Sequence, residues 1–217
     1  MRTIIDSAQS GTHPPVVVAM LSATFSEPED FLREGFPQAL RAHGLVAELV
    51  MAELRAAWVA DGSIVDRIDA AIVGPVRTRG AERIWLGGIS LGALAALGYA
   101  ARNRAALEGV ALISPYPATR EVLDEVEAAG GLDHWHPDIA AGGDLEREAW
   151  LFLARRPPGP PTVFCYFASG DRFAEGQRRI AATLPASATR ELPGGHDWSA
   201  WRALWDAFLA DRGALLQ

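Results

Sequence analysis

Residues 83–97 read RIWLGGISLGALAAL, and this stretch is the most informative part of the sequence about its fold. Its first half is a continuous apolar run typical of a buried strand, and its second half has the apolar character of a buried helix. Between the two halves lies Gly88-Ile89-Ser90-Leu91-Gly92. A serine in so sharp a turn has a strained backbone, and its neighbours two positions away must be small so that strand and helix can approach. The stretch predicts a strand–turn–helix unit with Ser90 as a candidate nucleophile.

Two other interpretations of this stretch exist. A glycine-rich turn without a catalytic role stays open at this point, because short matches to such a pattern arise by chance. Ile84–Ala101 is also 18 residues long without a charge, which is the lower limit for a membrane span. Four glycines interrupt it, however, and its pattern changes from strand to helix. We therefore expect a buried unit and no membrane partner.

Apolar runs and helical patterns alternate along the rest of the chain, which predicts an α/β fold of about six parallel strands with helices on both faces. The predicted strands are Val16–Met20, Leu45–Val50, Arg83–Leu86, Val110–Ile113, Thr162–Phe167 and Ala188–Leu192. The predicted helices are Phe36–Ala42, Ile64–Val73, Leu91–Arg102, Arg120–Ala129, Leu145–Arg155, Glu175–Leu184 and Trp198–Leu209. We expect a single domain over residues 1–217, in which residues 114–161 form a crossover helix plus a small lid insertion.

Composition excludes several classes of protein. The chain has 217 residues, of which 49% are hydrophobic and 22% charged, as a packed globular domain requires. A net charge of −7 argues against a nucleic-acid partner, which needs a basic face. Cys165 is the only cysteine, so no disulfide framework is expected. The N-terminus lacks the apolar run of a signal peptide, and we expect a cytoplasmic location.

A serine hydroxyl needs a base to become a nucleophile, and the base needs an acid to orient it. Asp171 follows the predicted strand Thr162–Phe167, and His196 follows the last predicted strand. In a parallel sheet the carboxyl ends of the strands meet at one edge, so both side chains are expected near Ser90. The order serine, acid, histidine along the chain is the one expected for a serine in a strand–turn–helix unit of this fold.

Other polar residues compete for a role. His134 and His136 have aspartates nearby, but they lie in a loop between glycine pairs, with no cysteine or helix to fix ligand geometry. We favour their assignment to the lid and expect no metal and no cofactor. Asp197 adjoins His196, and capping the closing helix is the role we expect for it.

The segments GISLG at 88–92, SGD at 169–171 and GGHDW at 194–198 resemble those of the α/β-hydrolase superfamily. The tail 194–202 is particularly similar to that of bacterial esterases of the esterase D and enterochelin-esterase type. The resemblance implies Ser90 as nucleophile, His196 as general base and then acid, and Asp171 as the orienting carboxylate. It also implies a minimal form of that fold, because the chain starts at what would be the third strand of the family. No antiparallel leading hairpin is then expected.

The resemblance also implies an oxyanion hole made of two backbone N–H groups. One is expected from Leu91, the residue after the nucleophile. The other is expected from the loop after Val16–Met20, where the His-Gly pair usual in the family is replaced by Met20-Leu21. Register with the family favours the N–H of Ser22, with Leu21 or Ala23 one residue away.

These residues predict a cofactor-independent serine hydrolase that cleaves a short-acyl ester or thioester through an acyl-enzyme. We expect Tyr116, Trp135 and Trp198 to wall the substrate pocket. An acyl-thioesterase or an acyltransferase of a biosynthetic pathway would use the same residues and stays an alternative. A non-catalytic binding module with this fold is an alternative of another class. The expected partner is a small-molecule ester or thioester, and the expected assembly is a monomer or a homodimer.

Overall fold

The structure is a computed structural model that describes residues 1–7, 15–139, 143–155 and 158–217. In these ranges seven strands form one sheet in the order β1-β3-β2-β4-β5-β6-β7. The strands are β1 (Thr3–Asp6), β2 (Val16–Leu21), β3 (Glu48–Ala52), β4 (Arg83–Ile89), β5 (Gly109–Ile113), β6 (Thr162–Ala168) and β7 (Thr189–Leu192). The strands β3, β2, β4, β5, β6 and β7 are neighbours in that order, and each pairs with the next in parallel.

The six predicted parallel strands are confirmed, and β1 is an addition to them. It pairs antiparallel with β3, with Thr3 opposite Ala52 and Asp6 opposite Leu49. β1 and β2 are not neighbours in the sheet, so they form no leading hairpin, but the prediction of six strands missed this single antiparallel edge strand. Because β1 is four residues long and lies only partly buried at the edge, it lacks the continuous apolar run that marks the central strands.

Helices surround the sheet and account for most of the predicted helical segments. They are α1 (Pro28–Arg33), α2 (Phe36–Ala42), α3 (Ala56–Ala60), α4 (Ile64–Ile68), α5 (Gly74–Thr78), α6 (Leu91–Arg102), α7 (Arg120–Ala128), α8 (Leu145–Arg155), α9 (Ala174–Ala182) and α10 (Trp198–Arg212). A π-helical turn over Asp69–Val73 joins α4 to α5. Short 3₁₀ turns occupy Arg104–Ala106, Leu132–His134, Ala186–Ala188 and Gly213–Leu216.

The two faces of the sheet carry different helices. On one face α6 packs against β4 and β5, and α4 and α8 pack against α6. On the other face α10 covers β5 and β6, where Trp85 of β4 contacts Phe208 of α10 with ring centroids 6.4 Å apart. The central strands are buried on both sides and form one hydrophobic core with these helices. This layering places the carboxyl ends of β4, β6 and β7 at the same edge of the sheet.

No helix in the described ranges combines the length and the apolar character needed to span a membrane.

Candidate active site

Ser90 occupies the turn between β4 and α6 in a strained backbone conformation. Its φ is 54° and its ψ is −118°, a region that residues with a side chain rarely adopt. A Cβ atom on Gly88 would lie 2.4 Å from the carbonyl carbon of Gly92, and one on Gly92 would lie 2.5 Å from the carbonyl oxygen of Leu21. Both positions therefore need glycine, as the sequence pattern predicts. The turn places Ser90 directly after the carboxyl end of β4 and before the first residue of α6.

The structure brings Ser90, His196 and Asp171 together in one chain of hydrogen bonds. The Nε2 atom of His196 lies 3.0 Å from Oγ of Ser90, and its Nδ1 atom lies 2.7 Å from Oδ2 of Asp171. The imidazole sits between the rings of Phe173 and Trp201, which meet it edge-on with centroids 5.1 and 5.2 Å away. These rings hold the imidazole plane between the hydroxyl and the carboxylate.

Asp171 is buried, yet its surroundings favour the ionised carboxylate. Burial alone would raise the pKa of Asp171, but hydrogen bonds from His196, the Phe173 amide and the Gln177 side chain hold that pKa below its usual value. The Phe173 N–H donates to Oδ1 at 2.8 Å, and Nε2 of Gln177 donates to Oδ2 at 3.0 Å. The carboxylate is therefore charged at neutral pH and able to stabilise a protonated His196.

The loop after β5 ties the nucleophile to the acid. The Tyr116 N–H donates to the carbonyl oxygen of Ser90 at 3.0 Å. The Gln177 side chain donates to the carbonyl oxygen of Pro115 at 3.1 Å as well as to Asp171. Together with the bonds through His196, these contacts close a ring, which we call the hydrogen-bond circuit.

Sequence reasoning missed Gln177, although a signal was present. Gln177 is fully buried on the face of α9 that Ala174 and Ile180 share. A glutamine among small and apolar residues at helical spacing indicates a buried polar group, which must have hydrogen-bond partners. Its position six residues after Asp171 places it within reach of that carboxylate.

In the loop after β2, the structure favours the N–H of Ala23 over that of Ser22 as the second oxyanion donor. The Ser22 N–H donates to the carbonyl oxygen of Ala52 at 2.9 Å and so extends the pairing of β2 with β3. The Ser22 hydroxyl accepts from the Leu54 N–H at 3.0 Å. In the part of the chain that the structure describes, the Ala23 N–H has no such partner, and Ala23 lines the same cavity as Ser90 and Leu91. Ala23 therefore replaces Ser22 as the candidate donor beside Leu91.

A cavity of about 500 Å³ opens beside Ser90. It is lined by Ala23, Thr24, Phe25, Ala56, Val59, Ala60, Ser90, Leu91, Tyr116, Glu146, Arg172, Phe173, His196 and Trp201. Tyr116 has the position that the sequence predicts. Burial, followed by the charge of Glu146, raises the pKa of the Tyr116 hydroxyl, so that this hydroxyl stays protonated.

Trp135 and Trp198 are absent from the described lining of this cavity, contrary to expectation. The Trp198 ring packs edge-on against Phe31 and Phe36, with centroids 5.7 and 6.0 Å away. Trp135 is buried in the core, 3% exposed. Trp201, three residues after Trp198 on α10, lines the cavity instead.

The segment 114–161 contributes little to the cavity. Its described lining residues are Tyr116 and Glu146, and α7 adds none, so α7 does not cover the site as a lid. The other helix, α8, packs against α6, where Gly98 leaves room for Leu145.

Neither His134 nor His136 is among the described residues that line the cavity beside Ser90. The Nδ1 atom of His136 is 2.8 Å from the Arg155 guanidinium. Within the described residues, no three His, Cys, Asp or Glu side chains are grouped as metal ligands.

No protein-family model matches the sequence, and no curated protein matches it either. Solved structures do match the fold. The S-formylglutathione hydrolase from Agrobacterium tumefaciens aligns over 99% of this chain and 95% of its own, with a TM-score of 0.64 and 17% identity. Est1E from Butyrivibrio proteoclasticus aligns over 98% and 94%, with a TM-score of 0.65 and 13% identity. A fluorophosphonate-binding serine hydrolase from Staphylococcus aureus aligns over 95% and 86%, with a TM-score of 0.66 and 12% identity.

The chain has the α/β-hydrolase fold. In this fold, strand ends carry the site residues and the turn after β4 carries Ser90. At these identities the likeness concerns the fold, and the chemistry must be argued from the site itself.

Proposed function

We propose that this protein is a serine hydrolase of the carboxylesterase type, with Ser90 as nucleophile, His196 as general base and then acid, and Asp171 as the orienting carboxylate. One observation carries the proposal: His196 lies 3.0 Å from the Ser90 hydroxyl through one nitrogen and 2.7 Å from a buried carboxylate through the other. This geometry fixes the imidazole tautomer that has a lone pair facing the hydroxyl.

The reaction proceeds through an acyl-enzyme. Ser90 Oγ attacks the carbonyl carbon of the ester while its proton passes to Nε2 of His196. The negative charge on the former carbonyl oxygen is stabilised by the N–H groups of Leu91 and Ala23. The C–O bond to the alcohol then breaks, and the alcohol leaves with the proton from His196. Water then attacks the carbonyl carbon of the acyl-enzyme while one of its protons passes to Nε2 of His196. The resulting tetrahedral intermediate breaks its bond to Ser90 Oγ, which takes the proton back from His196, and the carboxylic acid is released.

A small-molecule ester is the proposed substrate, and no cofactor is required. The cavity of about 500 Å³ suits a compact substrate with a short acyl chain. A thioester is the second candidate, supported by the structural likeness to an S-formylglutathione hydrolase. Comparing acetyl-CoA with p-nitrophenyl acetate separates the two, and adding an alcohol acceptor tests acyl transfer. The single thiol, on buried Cys165, is compatible with a reducing compartment such as the cytoplasm.

A fluorophosphonate probe tests the proposal, because it reacts with an activated serine hydroxyl. We expect the wild-type protein to take up one equivalent and to hydrolyse p-nitrophenyl acetate. Ser90→Ala should lose labelling and lower kcat by roughly 10⁶-fold. The matched control is Ser114→Ala, because Ser114 also follows a strand with a positive φ, of 43°, but is fully buried.

Two results would contradict the proposal. Labelling or turnover that persists in Ser90→Ala would assign the chemistry to another residue. A wild-type protein that neither labels nor hydrolyses any ester would favour the non-catalytic binding module.

A further inference from the structure

Phe25 has an unusual position at the rim of the cavity. Its side chain is fully exposed, with a relative accessibility of 101%. Its φ is 64°, in the left-handed region that bulky residues avoid. The Ser26 N–H donates to the carbonyl oxygen of Ala23 at 3.1 Å, so Phe25 is the third residue of a four-residue turn. A positive φ at this turn position favours glycine or asparagine.

Phe25 therefore destabilises the protein in two ways. The backbone is strained because a side chain is present, and a large apolar ring faces water. Glycine at this position would avoid both costs. Strained residues of this kind are found mainly at functional sites, where the strain serves binding or catalysis.

The location of Phe25 connects it to the reaction. Phe25 and Ala23, whose N–H is the candidate oxyanion donor, line the same cavity as Ser90. Helix α3 contributes further apolar lining through Ala56, Val59 and Ala60. An apolar group placed beside the scissile bond would meet this surface and remove the ring of Phe25 from water.

We propose that Phe25 is a specificity-determining residue that binds an aryl or similarly bulky apolar group of the ester. The inference rests on the proposed ester hydrolysis and names the substrate class for that site. The ring contributes by apolar contact and by edge-to-face packing, together about a tenfold gain in kcat/KM for such an ester. Ala56 and Ala60 line the same cavity as Phe25, and their small side chains take up little of its volume of about 500 Å³.

Three esters test the proposal by pH-stat titration: ethyl acetate, phenyl acetate and ethyl phenylacetate. Ethyl acetate has no aryl group, phenyl acetate has one on the alcohol side, and ethyl phenylacetate has one on the acyl side. We expect Phe25→Gly and Phe25→Ala to lower kcat/KM about tenfold for one or both aryl esters and less than twofold for ethyl acetate. The aryl ester whose kcat/KM falls identifies the side of the scissile bond that Phe25 contacts. Phe25→Leu, which keeps apolar bulk, should retain most of the preference.

Stability provides a readout independent of activity. Because the ring is fully exposed and the turn suits glycine, the Tm of Phe25→Gly should equal or exceed that of the wild type. Phe25→Ala keeps the strained Cβ and should have a Tm no higher than that of Phe25→Gly.

Equal losses on all three esters, or no loss on either aryl ester, would overturn the assignment. A clear fall in the Tm of Phe25→Gly would overturn it too, since Phe25 would then support the fold. These results leave the proposed ester hydrolysis intact. A wild-type protein that hydrolyses none of the esters overturns that function, and the assignment of Phe25 falls with it.

Discussion

Two aspartates accompany His196: Asp171 meets its imidazole across the fold, and Asp197 follows it in the chain. Asp171 is 5% exposed and lies 2.7 Å from Nδ1 of the imidazole. Asp197 is exposed, and its Oδ1 atom accepts the Ala200 N–H at 3.1 Å as the N-cap of α10. Adjacent side chains at the start of this helix diverge, so the neighbour in sequence is not the neighbour in space.

The difference shows that the donors around a carboxylate decide what it does. Asp171 receives N–H groups that stabilise its charge, and this charge is in turn available to the imidazole. Asp197 satisfies a backbone amide that the first turn of a helix leaves unpaired. Substitutions at the two sites should therefore separate catalysis from stability.

The largest effect is expected at Asp171. Asp171→Asn should lower kcat roughly 10⁴-fold, because the amide cannot stabilise the imidazolium and favours the wrong tautomer. KM for p-nitrophenyl acetate should change little, and circular dichroism should show an intact fold. A larger loss in Asp197→Asn than in Asp171→Asn would reverse the two assignments.

A smaller effect is expected at Gln177, which supports Asp171. Gln177→Met removes one donor to the carboxylate and should lower kcat about tenfold, the factor that corresponds to one hydrogen bond to a charged group. Arg178→Met is the matched control, because Arg178 is exposed on the same helix and pairs with Glu191. Its kcat should stay within twofold. Equal kcat values in both variants would show that the hydrogen bond from Gln177 to Asp171 does not contribute to turnover.

The smallest effect on turnover is expected at Asp197. Asp197→Ala removes the cap and should cost about 1 kcal/mol of stability, which corresponds to a fall in Tm of about 2–4 °C. Asp197→Asn keeps a good capping residue and should leave the Tm nearly unchanged. Both variants should retain kcat within twofold. A large loss of kcat at an unchanged Tm would show that Asp197 acts on His196 after all.

The sequence predicted the central sheet and the order of the site residues because both leave local signals. A strand buried on both faces must be continuously apolar, as Val16–Leu21 is. The Ser90 turn must have glycines where strand and helix touch. The missing elements are short: α1 and α3 have six and five residues, too few to show helical periodicity.

The sequence alone could not show which of two nearby residues faces the site. The choice between Ser22 and Ala23 depends on where the pairing of β2 with β3 stops, and the Ser22 N–H still belongs to it. The choice between Trp198 and Trp201 depends on how α10 is rotated against its neighbours. Phe31 and Phe36 determine that contact, and they lie more than 160 residues before Trp198 in a sequence of 217.

The hydrogen-bond circuit makes the arrangement of the site depend on four strands at once. Ser90, Pro115, Asp171 and His196 lie on loops that follow four different strands, and the circuit closes only when β4, β5, β6 and β7 are all in register. Displacement of any one of these four strands would therefore separate members of the circuit, so the site reports on long-range order across half of the sheet.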